Sequence, residues 1–193
     1  GYESKTTGGS LYYNAKSGNC YSGQSNATKA CNFTSTGIKN ATTRNLISDT
    51  IYYLGGHNSF SVYPNQIYEK ERGTTVYSGR PTEWTGKIAL AYPSDYGYAA
   101  DLGKCSQNLN NYNNSTCTSN NWMKAIVAPN YGWLLTPRSG IASNVWYVYS
   151  SGGVYYNSYV YNAYGVAPVL FLNSDANVKS GTGTSSDPYQ ISV

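Results

Sequence analysis

Apolar residues along this chain change their spacing once, and the change separates a helical part from a strand-rich part. Leu46, Ile47, Ile51 and Leu54 recur at helical intervals, which predicts a helix around 42–54 with Gly55 and Gly56 as its C-terminal stop. A second helix is predicted over 65–72, with Ile67 and Tyr68 inward, Glu69, Lys70, Glu71 and Arg72 on a solvated face, and Gly73 at its end. Ahead of them, residues 1–36 are rich in Gly, Ser and Asn, with one apolar patch at Leu11, Tyr12 and Tyr13 that reads as a strand.

From residue 74 the period shortens. TTVYSG reads as a short strand, RPTEWTG as a turn-rich loop and KIALAYP as a buried strand. Residues 93–121 form a long polar stretch, expected as a structured loop, after which Ser119 caps a short helix through Trp122, Met123 and Ile126. Strands follow at 133–137, 145–150 and 154–157, the last two joined by a hairpin turn of Ser151, Gly152 and Gly153. GVAPVLFL at 165–172 is nearly all apolar, as a central strand would be, and a closing strand is expected at 188–193. No repeat is visible. The order implies one α+β domain over 1–193, with its helices at one end of an antiparallel sheet.

Composition narrows the function classes. Charged residues make up only 11% of the chain, against about 25% in an average soluble domain. Tyr, Ser, Asn, Thr and Gly fill the gap. The net charge of +4 is thinly spread, and Arg44, Arg72, Arg80 and Arg138 lie far apart. Nucleic-acid binding needs a basic stripe, so no nucleic-acid partner is expected. The four cysteines fall in two local pairs, each flanking a polar loop. Of the possible pairings, Cys20 with Cys31 and Cys105 with Cys117 is the simplest. Two such staples place the chain outside the cytoplasm, as an extracellular, cell-surface or secreted protein. Cysteine spacing and a single imidazole, His57, argue against a metal site, and no cofactor is expected. Sequons at Asn26, Asn32, Asn40, Asn113 and Asn114 are what chance gives in so Asn-rich a chain. No leader or membrane helix is visible, so membrane attachment is expected only through a removed anchor or stalk.

No charged residue occurs between Arg138 and Asp175. Residues 139–164 hold seven tyrosines, five serines, three asparagines, three glycines and Trp146, the composition of an antibody paratope. A half-buried Tyr-rich sheet would have the same composition. Alternation sends Trp146 and Val148 to one face and Tyr147 and Tyr149 to the other; Val154 and Tyr156 likewise oppose Tyr155 and Asn157. The expected exposed contact set is therefore Tyr147, Tyr149, Tyr155, Asn157, Tyr159 and Tyr161, with Asn144 and Asn162 at its rim. Catalysis finds little footing. His57 follows two glycines and reads as a turn residue, and Asp95, the best-placed acid, reads as well as an Asx turn. The chain is not expected to be an enzyme.

A frame of WLLTP at 133–137, a variable polar and aromatic run, and GVAPVL at 165–170 resembles C-type-lectin-fold domains of bacterial surface proteins. It is similar in particular to the variable proteins of diversity-generating retroelements. It also resembles an uncharacterised domain of gut bacteria found on pilin-like or anchored stalks. ERGTTVYSGRP at 71–81, YPSDYGY at 92–98 and GTGTSSDPY at 181–189 look like that second group. The resemblance covers roughly residues 70–193. It implies a C-type-lectin-like fold of two helices, a twisted antiparallel sheet and long loops. It also implies an adhesin- or receptor-like domain with a hypervariable binding face over 139–164. Adenine-directed rewriting would turn Asn codons into Tyr and Ser codons, as the enrichment there suggests. Ala167 stands where related domains carry Arg, and the sugar-binding E-P-N and W-N-D motifs are absent. The implied ligand is a protein or a glycan on another cell or a phage. Two alternatives remain: a structural pilin-like subunit, and an enzyme of the formylglycine-generating type.

Overall fold

The computed structural model describes residues 38, 40–160, 162, 164–184 and 186–192. The strand expected at Leu11, Tyr12 and Tyr13 and the Cys20/Cys31 pair lie outside the described residues. The chain is α+β: five short α-helices and a 3-10 turn, with nine strands in four small antiparallel sheets among the described residues. The helices are α1 (Ala41–Asn45), α2 (Pro64–Glu71), α3 (Pro93–Tyr98), α4 (Ser115–Ser119) and α5 (Lys124–Val127). The strands are β1 (Thr50–Tyr53), β2 (Glu83–Gly86), β3 (Ile88–Leu90), β4 (Gly132–Pro137), β5 (Asn144–Val148), β6 (Val154–Tyr159), β7 (Pro168–Leu170), β8 (Asn177–Ser180) and β9 (Gln190–Ser192). They pair as β1-β2, β3-β7, β4-β5-β6 and β8-β9.

The three-stranded sheet lies between two apolar clusters. One holds Ile67, Tyr96, Leu109, Tyr112, Val127, Leu134, Trp146 and Val148. The other holds Tyr52, Leu54, Leu90, Tyr92, Trp133, Leu135, Val145 and Tyr147. Alternation along each strand divides its residues between the two, so both faces are covered and all five residues of β5 are buried. The disulfide Cys105–Cys117 joins the first cluster and closes the polar loop over it. In the chain-entropy picture a loop of this size contributes about 3 kcal/mol.

The helix predicted over 42–54 is shorter. Asn40 caps α1 by accepting from the Thr43 N–H at 3.1 Å, but the helix stops after five residues. Thr50, Ile51, Tyr52 and Tyr53 are β-branched or aromatic and pair with β2 instead, Tyr52 inward and Ile51 and Tyr53 outward. Gly55 and Gly56 therefore end no helix. Gly55 lies against the C-terminus of α2, where its N–H donates to the Glu71 carbonyl at 2.9 Å. A Cβ there would come within 2.3 Å of the Lys70 carbonyl oxygen. The TTVYSG segment is a turn rather than a strand, with Gly79 at φ 76° and the Arg80 N–H donating to the Tyr77 carbonyl. The EWTG residues expected in a loop form β2.

The polar stretch 93–121 is more helical than expected. Tyr63-Pro64-Asn65-Gln66 and Tyr92-Pro93-Ser94-Asp95 start α2 and α3 alike. In each, Pro occupies the first turn and the third helical side chain accepts the N-cap N–H at 2.9 Å. α5 starts at Lys124 with Met123 as its N-cap, so Ser119 ends α4 rather than capping this helix. GVAPVLFL is not a central strand. Residues 168–170 pair with β3 alone, Gly165 and Leu172 form single bridges to Gly132 and Ile47, and Val166, Leu170, Phe171 and Leu172 are exposed. The closing strand is β9, paired with β8.

The predicted solvated face of α2 also changes. Tyr68 is exposed, whereas Glu71 is fully buried. The backbone N–H of Ser94 donates to Glu71 Oε1 at 3.0 Å, and the Ser94 hydroxyl donates to Oε2. Arg72 sits 3.3 Å from the same carboxylate and stacks on Tyr68 at 3.5 Å. Burial outweighs these partners and pushes the Glu71 pKa up to about 8 from an ordinary 4.5. A carboxyl raised in the folded state contributes stability that is fully present below pH 4.5 and lost as pH rises through about 8. Glu71→Gln, which cannot ionise, should flatten that slope. In denaturation at stepped pH, the variant should gain on the native protein between pH 5 and 8 and level off above, by roughly one to several kcal/mol in total. Gly55→Ala should cost about 3 kcal/mol or more by overpacking against the α2 carbonyls, measured as a drop in unfolding midpoint.

Candidate aromatic binding face

The Tyr-bearing face of the three-stranded sheet is a linked set of rings. Tyr147 on β5 lies 6.3 Å from Trp133, 6.2 Å from Tyr155 and 5.5 Å from Tyr164. Tyr131 stacks on Tyr164 at 4.8 Å and meets Tyr149 edge-on at 4.7 Å. Tyr149 meets Tyr155 at 76°, and Phe60 adds a further ring beside Tyr155. Centroid separations of 4.5–6.4 Å across the set are the range in which aromatic pairs attract.

Two of the expected contact residues are interior. Tyr147 is 7% exposed and Asn144 is 4% exposed. The alternation that placed Tyr147 opposite Trp146 is correct, but that second face packs against β1, β3 and Tyr92 rather than meeting solvent. The Tyr147 hydroxyl donates to Asn157 Oδ1 at 3.2 Å, and burial, with the phenols of Tyr164, Tyr149 and Tyr155 next, pushes its pKa up to about 12. Asn144 accepts from the Ser143 hydroxyl at 3.1 Å.

The other expected residues divide between two faces. Tyr149 is 39% exposed at the edge of the ring set and Asn157 is exposed beside Tyr147, and with Tyr155 they form a rim. Tyr159, 46% exposed, sits across from Asn144 beyond a shift of register and so lies on the Trp146 side of the sheet. Tyr155 is half-buried, its hydroxyl donating to the Asn110 carbonyl at 3.3 Å. Asn162 is half-buried and donates to Ser158 Oγ at 2.9 Å. Tyr161 lies outside the described residues. Tyr131 and Tyr164 were not anticipated in the set. Tyr131 stands two residues before Trp133, so the period of two would have placed it on the same face. Tyr164 owes its place to the long-range bridge between Gly132 and Gly165, which no local pattern reports.

The hairpin turn is held from below. Gly152 sits at φ 101°, and its carbonyl accepts from the Tyr96 hydroxyl at 3.1 Å. A Cβ on Gly152 would meet the Thr118 methyl at 2.8 Å, and one on Gly153 would meet the Asn110 carbonyl oxygen at 2.8 Å. The two residues weighed for catalysis have structural partners. Asp95 Oδ2 accepts the Tyr92 N–H at 2.9 Å, and burial raises its pKa. His57 forms a parallel bridge with Arg138, and burial, then the nearby Lys70 charge, lowers its pKa. Among the described residues no group of three His, Cys, Asp or Glu side chains is placed to hold a metal ion.

Truncation separates interior from rim. Tyr147→Ala should cost about 3–5 kcal/mol in chemical denaturation, as for a large buried ring. Tyr149→Ala should cost about 1 kcal/mol or less. Comparable losses at both positions would make the rim part of the core. No family model, curated protein or solved structure matches this chain.

Proposed function

We propose that this chain is an extracellular ligand-binding domain of adhesin or receptor type, whose binding face is the rim of Tyr149, Tyr155 and Asn157. One observation carries the reading. Tyr149 and Tyr155 emerge from a sheet buried on both faces, inside a stretch with no charged residue, and their rings are fixed by neighbouring rings and a hydroxyl contact. Rigid phenols present contact area with little ordering cost, which is how Tyr-rich paratopes bind. The disulfide supports a place outside the cytoplasm, and no described helix is long and apolar enough to cross a membrane. The finer reading of the α+β fold as C-type-lectin-like, with variation concentrated over 139–164, rests on the WLLTP and GVAPVL frame.

A second reading, a pilin-like structural subunit, draws on a different feature. Val166, Leu170, Phe171 and Leu172 expose apolar surface around β7, and Phe171 and the 37% exposed Trp84 both lie against the Tyr52 ring. Surfaces of this kind commonly mark contacts with other chains.

The test is a screen of the whole chain against arrayed oligosaccharides and purified surface proteins of other cells and phages, with Tyr149→Ala, Asn157→Ala and the double variant in parallel. A captured ligand should bind each variant about tenfold more weakly or worse, with melting temperatures within about 4 °C of the native chain. A ligand that holds all three variants as tightly as the native chain, or no ligand in either array, would sink the reading.

A further inference from the structure

Two fully buried side chains keep a polar atom without a hydrogen-bond partner, Thr136 at Oγ1 and Trp146 at Nε1. They belong to neighbouring strands. Thr136 precedes Pro137 on β4, Pro137 pairs with Val145, and Trp146 follows Val145 on β5. They also share a face. Leu134 and Trp146 pack in the first apolar cluster while Trp133 and Leu135 pack in the second, so alternation turns Thr136 to the Trp146 side.

The backbone beside them is irregular. Trp133 pairs with Tyr147 and Pro137 with Val145, so residues 134–136 of β4 stand against Trp146 alone. A bulge of this kind leaves ladder groups over and bends the strand from its neighbour. The N–H groups of Trp133 and Leu135 point away from β5, to the carbonyls of Gly165 and Ala91 at 2.9 Å each. Leu134 and Thr136 therefore each turn an N–H and a carbonyl toward β5, where Trp146 has only one of each to match them. Surplus backbone groups and two unpartnered side chains thus meet at one place in the sheet.

We propose that this bulge binds one ordered water, held by the Trp146 indole N–H, the Thr136 hydroxyl and a backbone group of residues 134–136. An indole nitrogen only donates, which rules out a metal cation as the shared partner, whereas a hydroxyl both donates and accepts. Water complements the two: it accepts from Trp146, and it either donates to Thr136 or accepts from it. Three contacts are what a buried water typically makes. Without them, an indole N–H and a hydroxyl in an apolar core are each unfavourable. The site lies on the side of the sheet away from Tyr147 and does not rest on the binding reading.

The test is a high-resolution crystal structure of the whole chain and of its Thr136→Val and Thr136→Ser variants, with thermal unfolding of all three. Native crystals should show one density peak within about 3.2 Å of both Trp146 Nε1 and Thr136 Oγ1. Valine keeps the shape of threonine and removes the hydroxyl. Thr136→Val should therefore lose the peak and melt about 2–4 °C lower or more, because the indole N–H is left unpaired. A hydroxyl that had no partner to begin with would make the valine variant as stable as the native chain or more so. Thr136→Ser keeps the hydroxyl and should retain the peak, which decides the matter even where the valine variant fails to crystallise. No peak in the native crystals, a direct hydrogen bond between Thr136 and Trp146, a peak that survives in Thr136→Val or vanishes in Thr136→Ser, or a valine variant that melts no lower would overturn the proposal.

Discussion

Strand β5 is buried on both faces, and the rest of the molecule is arranged around that fact. A three-stranded sheet with solvent on one side would need one apolar layer. Here Trp146 and Val148 need one cover and Val145 and Tyr147 need another. The helices and the disulfide loop supply the first. Strands β1 and β3 and the segment around Tyr92 supply the second. Each cover is short and would be marginal alone, since two-stranded ribbons and helices of one or two turns gain their stability from what they pack against.

The covers are joined to the sheet by specific contacts as well as by apolar burial. Glu71, at the end of α2, reaches the start of α3 and takes both Ser94 donors; with Gly55 beneath the same helix end, it ties the helices to the segment after β1. On the far side, the loop closed by Cys105 and Cys117 carries Asn110 and Tyr112, which lie under the β5–β6 turn. The orientation of the exposed tyrosines thus depends on residues from four separate parts of the chain. Reducing the disulfide would loosen the floor of that turn before it disturbed the sheet itself.

What the sequence disclosed follows the range of the interaction involved. The period of two in VWYVYS and VYYN assigned Trp146, Val148 and Val154 to one face and Tyr147 and Tyr155 to the other, because alternation is local geometry. The apolar pair Ile67 and Tyr68 with the stop at Gly73 marked α2, and Cys105 paired with Cys117 across a short loop. Exposure was less legible, because it depends on what covers a face. Tyr147 is interior since β1, β3 and Tyr92 return to it from distant sequence. Ile51 and Leu54 fit a helical period but belong to or follow a strand, since β2 was available to pair with it. GVAPVLFL has the hydropathy of a central strand and lies on the surface. Glu71 shows the converse error, a charged residue on a nominally polar face drawn fully inside by Ser94.

The same alternation limits how far the aromatic face can change. Every residue of β5 packs into one core or the other, Tyr149 follows it, and past the turn the exposed Asn157 and Tyr159 of β6 flank the buried Ser158. Variation at Tyr149, Asn157 or Tyr159 leaves the interior intact, whereas variation at the adjoining positions is spent on repacking it. The face therefore has a small alphabet of independent positions rather than a continuous stretch. Any lineage that retargets it would have to do so by recombining a few side chains on a fixed frame, and its repertoire would grow combinatorially from those sites and not with the length of the uncharged segment.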